Sequence, residues 1–230
     1  MKIEVHKNEE RGKGEYGWLS TRYSFSFSNW YNQARMGFGK LRVLNDDVIA
    51  PHSGFPTHGH RDMEIITIVM RGVVSHEDSM GNKRKVKEGM IQVMSAGTGV
   101  MHSEYNHEDT PLELFQLWIA SQERGIAPRY EEKFIDFLKQ EDIDMTLVGD
   151  GGLLINQDAS IQYVSTVLGE NKEYVMQDIT RGVYLFVIEG EVKVGDEALS
   201  RRDAAGISDT SSFLYTLGVN TKVLIIEIPF

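Results

Sequence analysis

The feature that most limits what this chain can fold into is how its apolar residues are broken up. Runs rich in Ile, Val, Leu and aromatics stop after a few residues at glycine or polar turns, and the stops recur at about 8 to 12 residues, the rhythm of a sandwich or barrel. The clearest strand candidates are Glu64 to Met70, Met90 to Met94, Leu112 to Ala120, Ile161 to Leu168, Val183 to Ile188 and Lys222 to Ile228. An all-β protein is predicted. One stretch departs from this pattern: between Arg129 and Gln140, Tyr130, Phe134, Phe137 and Leu138 fall at helical spacing with charged residues between them, which predicts a short amphipathic helix. The polar string Glu141-Asp142-Ile143-Asp144 follows, so helix and string are expected to connect two domains, 1–140 and 141–230.

The halves also read as weak copies of one unit. An apolar run ends in Arg71-Gly72, continues as Val73-Val74-Ser75 and reaches Gly89 and Ser95-Ala96-Gly97; a second run ends in Glu189-Gly190, continues through Val192 to Gly195 and reaches Arg202 to Gly206. What separates the copies is histidine. All seven, at positions 6, 52, 58, 60, 76, 102 and 107, lie in the first 107 residues. Matching Gly72 to Gly190 puts Met176 and Asp178 where His58 and His60 stand, so only the first half is expected to build a His-rich site.

Composition narrows the function. With 0 cysteines, disulfides and thiolate ligands are excluded, and any metal must sit on nitrogen and oxygen. No apolar run approaches the roughly 20 residues of a membrane helix, and Met1 to Lys7 lacks the apolar core of a signal peptide; a cytoplasmic protein without membrane contact is expected. Residues 1–120 carry 14 basic and 15 acidic side chains and residues 121–230 carry 10 and 19, so nearly all of the net charge of −10 belongs to the second half, which would repel nucleic acid. The basic cluster Lys83-Arg84-Lys85 with Lys87 is read as a solvated hairpin.

Within the first half the spacing of a few polar residues carries chemistry. Side chains two apart on a strand share a face, so His58 and His60 point one way with Gly59 behind, and His102 and Glu104 do the same around Ser103. If those segments are neighbouring strands, three nitrogens and a carboxylate oxygen meet around a point about 2 to 2.2 Å from each donor. The glycines of Ala96-Gly97-Thr98-Gly99 would supply the tight turn that delivers the second pair. His6, His52 and His107 are assigned to solvent. His76 is read as a polar residue of a hairpin, with the site entrance as the alternative. Glu64, one face-repeat beyond His60, is a candidate to ligate or to orient an imidazole, and Arg61 is a weaker one.

The stretch His58-Gly59-His60-Arg61-Asp62-Met63-Glu64, Gly72, His76 through Gly81, and Gln92-Val93-Met94-Ser95-Ala96-Gly97-Thr98-Gly99-Val100-Met101-His102-Ser103-Glu104 resembles the signature of the pirin family. Asn29-Trp30-Tyr31, Gly37 and Pro128-Arg129-Tyr130 extend the likeness over about the first 135 residues. Gly59 stands where many members have proline, and Asp62-Met63 where many have Gly-Phe, which bears on pocket shape and not on the ligands. The resemblance implies a bicupin of two β-barrel or jelly-roll domains, with one metal, usually iron, held in the first domain by His58, His60, His102 and Glu104. It also implies one Fe2+ per chain, with Ni, Mn, Co, Cu or Zn as alternatives. Four protein ligands on an octahedral ion leave two positions open, which suits a small aromatic substrate and dioxygen. The activity implied is that of a quercetin 2,3-dioxygenase, with Glu104 as the catalytic proton acceptor. The same resemblance carries an alternative, a non-enzymatic metal- or redox-responsive regulator with a transcription or metabolic protein as partner.

Overall fold

The computed structural model describes all 230 residues, and almost everything regular in it is strand. The first half contains β1 (Lys2–His6), β2 (Gly12–Glu15), β3 (Leu19–Tyr23), β4 (Leu41–Ile49), β5 (Ser53–His60), β6 (Met63–Arg71), β7 (Val73–Asp78), β8 (Lys83–Lys87), β9 (Met90–Ser95), β10 (Val100–Asn106), β11 (Leu112–Ala120) and β12 (Arg129–Phe134). The second contains β13 (Asp144–Val148), β14 (Ser160–Thr166), β15 (Glu170–Val175), β16 (Arg181–Glu189), β17 (Val192–Val194), β18 (Glu197–Leu199), β19 (Ala204–Ser208), β20 (Ser212–Leu217) and β21 (Thr221–Pro229).

The weak sequence repeat is a structural one. One large sheet contains the order β9-β6-β11-β4-β3 and the other contains β19-β16-β21-β14-β13; the small sheets run β5-β10-β7-β8 and β15-β20-β17-β18. Each strand of one unit corresponds to the strand ten places later in the other. The two glycines that anchor the match are left-handed, at φ 85° for Gly72 and 81° for Gly190, a backbone that favours glycine. The extra strands cap edges: β2 lies on β3, β12 on β9, and β1 crosses to the second unit and pairs with β19 from Lys2↔Ser208 to His6↔Ala204. The basic hairpin strand β8 is a free edge whose four charged side chains are all exposed, which suits an unpaired edge.

Strand alternation sorts the large sheets into two faces. On β11, Phe115, Leu117 and Ile119 face out of the first unit, as Ile66 and Ile68 do on β6; with Tyr184, Phe186, Ile188, Leu224, Ile226 and Ile228 they form one buried cluster of 25 residues drawn from both units. Phe115 and Phe186 meet edge to face at 5.5 Å between centroids. The opposite faces look into the units. The second unit's interior is mostly apolar, with Val183, Leu185, Val187, Val223 and Ile225 among its residues, and at one end it carries the buried, paired Arg181 and Glu227. In the first unit one apolar cluster contains Val69, Leu112 and Leu114 and a smaller one Ile65, Met94 and Val100, and the interior also carries buried Thr67, Gln92, Gln116, Asn45, Asp47, His102 and Glu104.

The helix expected over Arg129 to Gln140 does not form. Residues Arg129–Phe134 are β12, in register with β9 from Arg129↔Ser95 to Phe134↔Met90, and only Phe137–Lys139 is helical, a single 3₁₀ turn. Periodicity alone cannot show that β9 offers an unpaired edge, and ladder hydrogen bonds outweigh a short amphipathic pattern. The turn still buries Phe137, against Tyr163 at 4.7 Å.

Candidate metal centre

Strands β5 and β10 are antiparallel neighbours, with His102 directly opposite His58 and Val100 opposite His60. A bulge between His102 and Glu104 shifts the register by one residue and brings Glu104 opposite Phe55. The imidazoles of His58, His60 and His102 converge: their ligating nitrogens lie within 4.8 Å of one another, and the ring centroids are 4.5 to 4.9 Å apart. Glu104 lies deeper, with nitrogens of His102 and His76 within the same reach. All four residues expected to ligate line one cavity of about 330 Å³, walled by Phe27, Phe55, Pro56 and Trp118.

Several details suit a cation there. His102 is 1% exposed, yet neither ring nitrogen has a hydrogen-bond partner; a buried, unpaired imidazole is costly unless something else fills its lone pair. Burial, and secondarily the neighbouring imidazoles, lower His60 to about 4 and His102 to about 3, so both are neutral near pH 7, the form that donates to a metal. His58 Nδ1 donates to the Pro56 carbonyl at 2.8 Å, which leaves Nε2 free for the ion. The Glu104 carboxylate is held by three neutral donors: Thr67 Oγ1 at 3.2 Å and Gln92 Nε2 at 3.4 Å to one oxygen, Gln116 Nε2 at 3.0 Å to the other. Trp118 Nε1 donates to Gln116 Oε1 at 3.2 Å, tying the cavity wall to the carboxylate. The donor set, nitrogen and oxygen without sulfur, fits a divalent ion of the first transition row.

Other sequence expectations are redirected. His76 does lie in the β7–β8 hairpin, opposite Arg84, but it is not at the entrance: it is fully buried behind His102, 5.4 Å away between centroids, with Nε2 3.0 Å from Asp78 Oδ2. Glu64 is not at the centre. Asp62, at φ 51°, interrupts the chain between β5 and β6, so Glu64 falls on the outward face with Ile66. There its carboxylate accepts from Ser95 Oγ and Ser121 Oγ, both at 2.6 Å, and from the Asn156 amide at 3.0 Å, joining the two units. Arg61 reaches the Thr98 carbonyl at 3.0 Å from an exposed position. His6 is not in solvent; β1 buries it, and Nδ1 lies 3.0 Å from Tyr184 Oη. His52 and His107 are exposed as expected. Sequence reasoning missed Gln92, Gln116, Thr67, Asn45 and Asp47. The signal was available for Thr67, Gln92 and Gln116, polar residues at inward positions of largely apolar strands, whereas Asn45 and Asp47 lie in the polar run Asn45-Asp46-Asp47 of β4.

The pirin family model matches residues 4–119, and the model of the quercetinase C-terminal cupin domain matches residues 148–228. The chain is 40% identical over 229 residues to a quercetin 2,3-dioxygenase of Escherichia coli K12, with 99% of each covered. It belongs to the pirin family. A pirin-like protein of Caulobacter vibrioides is 36% identical over 224 residues, covering 95% of this chain and 96% of that one. The crystal structure of a bacterial pirin from Escherichia coli in complex with nickel(II) superposes with a TM-score of 0.93 at 37% identity, covering 99% of both chains. The bicupin architecture of the pirins is therefore that of this chain, and no helix in it is long and apolar enough to cross a membrane.

Proposed function

We propose that this pirin holds one divalent metal ion on His58, His60, His102 and Glu104 and opens flavonol-type aromatic substrates by 2,3-dioxygenation. The observation that carries the reading is that the His58, His60 and His102 cluster shares His102 with Glu104, a 3%-exposed carboxylate, and that all four line one aromatic-walled cavity of about 330 Å³. The names of the relatives at 40% identity support the reaction class. When bound, the ion, Fe2+ in the first place and Ni2+ next, supplies Lewis acidity and a means of engaging dioxygen.

The chain's own residues do the rest. Phe27, Phe55 and Trp118 enclose a flat substrate and exclude water. Glu104 accepts the proton of the substrate hydroxyl at a carboxylate oxygen, and Thr67, Gln92 and Gln116 fix the orientation of that carboxylate through hydrogen bonds. His58 stays in the tautomer set by Pro56.

The test is aerobic and anaerobic assay of metal-loaded protein with a flavonol, followed by ring cleavage and normalised to metal content. Glu104→Gln keeps size and a carbonyl donor but removes nearly all basicity. It should retain some metal and lose at least about 10²-fold in rate, the lower end of what a general base contributes. Wild-type turnover in Glu104→Gln would remove the base role. No cleavage by the wild type with any metal would replace the enzyme with the regulator that binds a protein partner.

A further inference from the structure

The cavity at the metal centre does not end at its aromatic wall. A second chamber of about 220 Å³ adjoins it, and Phe27, Asn45, Asp47 and Phe55 line both. The far chamber is otherwise bounded mainly by Tyr16, Trp18, Thr21, Tyr23 and Ser28. Phe27 and Phe55 flank the junction. Phe27 packs edge-on to Trp118 at 5.2 Å on the metal side and lies 5.4 Å from Tyr23 on the other, while Phe55 meets Trp18 edge-on at 5.0 Å. The passage is thus an aromatic slot leading from the metal centre into a second compartment.

Two polar side chains interrupt this apolar passage. Asn45 and Asp47 are inward neighbours on β4, 4% and 3% exposed, and Asn45 Oδ1 and Asp47 Oδ1 have no hydrogen-bond partner. Leaving such atoms buried and unpaired costs free energy that an apolar pair would avoid. Two acceptors of this kind, side by side in a slot of aromatic rings, fit hydroxyl donors carried on a flat ring. No lysine or arginine lines either chamber, and Arg11 donates elsewhere, to Asp46 and to the Arg22 carbonyl.

We propose that the far chamber is a subsite for the pendant ring of the flavonol and that Asn45 and Asp47 accept hydrogen bonds from that ring's hydroxyl groups. This rests on the flavonol reading of the metal centre. The fused pair of rings is rigid and planar and needs the larger compartment. The pendant ring is joined by one rotatable bond, so it alone can tilt through the slot, and a single six-membered ring, with a van der Waals volume on the order of 80–100 Å³, fits the smaller chamber at the packing density of protein interiors with room for its hydroxyls. A site built to bind a hydroxyl discriminates strongly against the analogue that lacks it, because its acceptors are then stranded.

The experiment measures dissociation constants of the metal-loaded protein at about pH 8 under anaerobic conditions, where nothing turns over, for three flavonols with two, one and no hydroxyl groups on the pendant ring. The wild type should bind the dihydroxylated compound at least about 10-fold more tightly than the unhydroxylated one, the effect of one well-made hydrogen bond to a buried acceptor. Asn45→Leu and Asp47→Leu should bring that ratio toward one without weakening the unhydroxylated flavonol, a pattern that general loss of structure does not produce. Should Asp47→Leu fail to fold, the smaller Asp47→Val, which also removes both oxygens, should still lower the ratio to a few-fold. A wild-type ratio near one, or an unchanged ratio in folded Asn45→Leu and Asp47→Val, overturns the subsite while leaving ring cleavage standing. If none of the three flavonols binds the wild type, the flavonol reading itself falls and the subsite falls with it.

Discussion

At the scale of single residues, the first unit places ionisable groups where solvent cannot reach them, and Asp47 shows the cost. Burial pushes its carboxyl up to about 7, far above the usual aspartate value of 3.8. Between about pH 4 and pH 7 the folded protein therefore binds a proton at Asp47 that the unfolded chain has released, and stability falls as pH rises through that window. Asp47→Asn removes the effect. In urea titrations of metal-free protein, the variant's stability relative to wild type should increase from pH 5 to pH 8, by an amount of order 1–4 kcal/mol. A difference that stays flat with pH would mean that Asp47 is ionised in the folded state at no cost. His60 and His102 act in the opposite direction: both are depressed, so they favour folding above about pH 6.5 and withdraw that support as pH falls. They are common to both proteins and cancel in the comparison.

At the scale of elements, the turn before β10 decides whether the site forms. Gly97 has φ 45°, and a Cβ there would lie 2.1 Å from the Ile126 carbonyl oxygen, so neither the backbone nor the neighbouring connection tolerates a side chain. Gly97→Ala should lower stability by roughly 1–3 kcal/mol and weaken metal binding, because β10 carries both His102 and Glu104. Gly81→Ala is the control: φ is 92° but nothing lies within 4 Å of the added methyl, so it should show the backbone cost of about 1 kcal/mol and unchanged metal content. Equal metal loss in both variants would refute a specific role for the Gly97 turn. The need for glycine in this turn was legible in the sequence, as were the paired faces of His58 with His60 and of His102 with Glu104, because two-residue periodicity is a local property. The positions of Glu64 and His6 were not. Glu64 changes face through the left-handed Asp62, a single dihedral that no spacing rule registers, and His6 is buried by a strand that pairs nearly 200 residues away. The helix expected at Arg129 failed for the same reason, since β9's open edge is a tertiary fact.

At the scale of the whole molecule, the two units share their largest apolar cluster, so the unit with the candidate metal centre depends on the unit that lacks histidine. Phe186 is the test, because it is fully buried in the second unit, packs on Phe115 of the first, and lies 5.3 Å from the Arg11 guanidinium over its ring. Phe186→Ala should destabilise by about 3–5 kcal/mol, the usual range for emptying a buried aromatic site. The three tryptophans, at positions 18, 30 and 118, all lie in the first unit, so their fluorescence reports that unit alone while far-ultraviolet circular dichroism reports the whole chain. If the shared cluster couples the units, the wild type should give one coincident transition by both probes, and Phe186→Ala should lower both midpoints together. A variant whose dichroism midpoint drops while tryptophan fluorescence unfolds at the wild-type denaturant concentration would show two independently stable units. The metal centre would then owe nothing to the second unit, and the role of that unit would have to be sought elsewhere than in supporting the site.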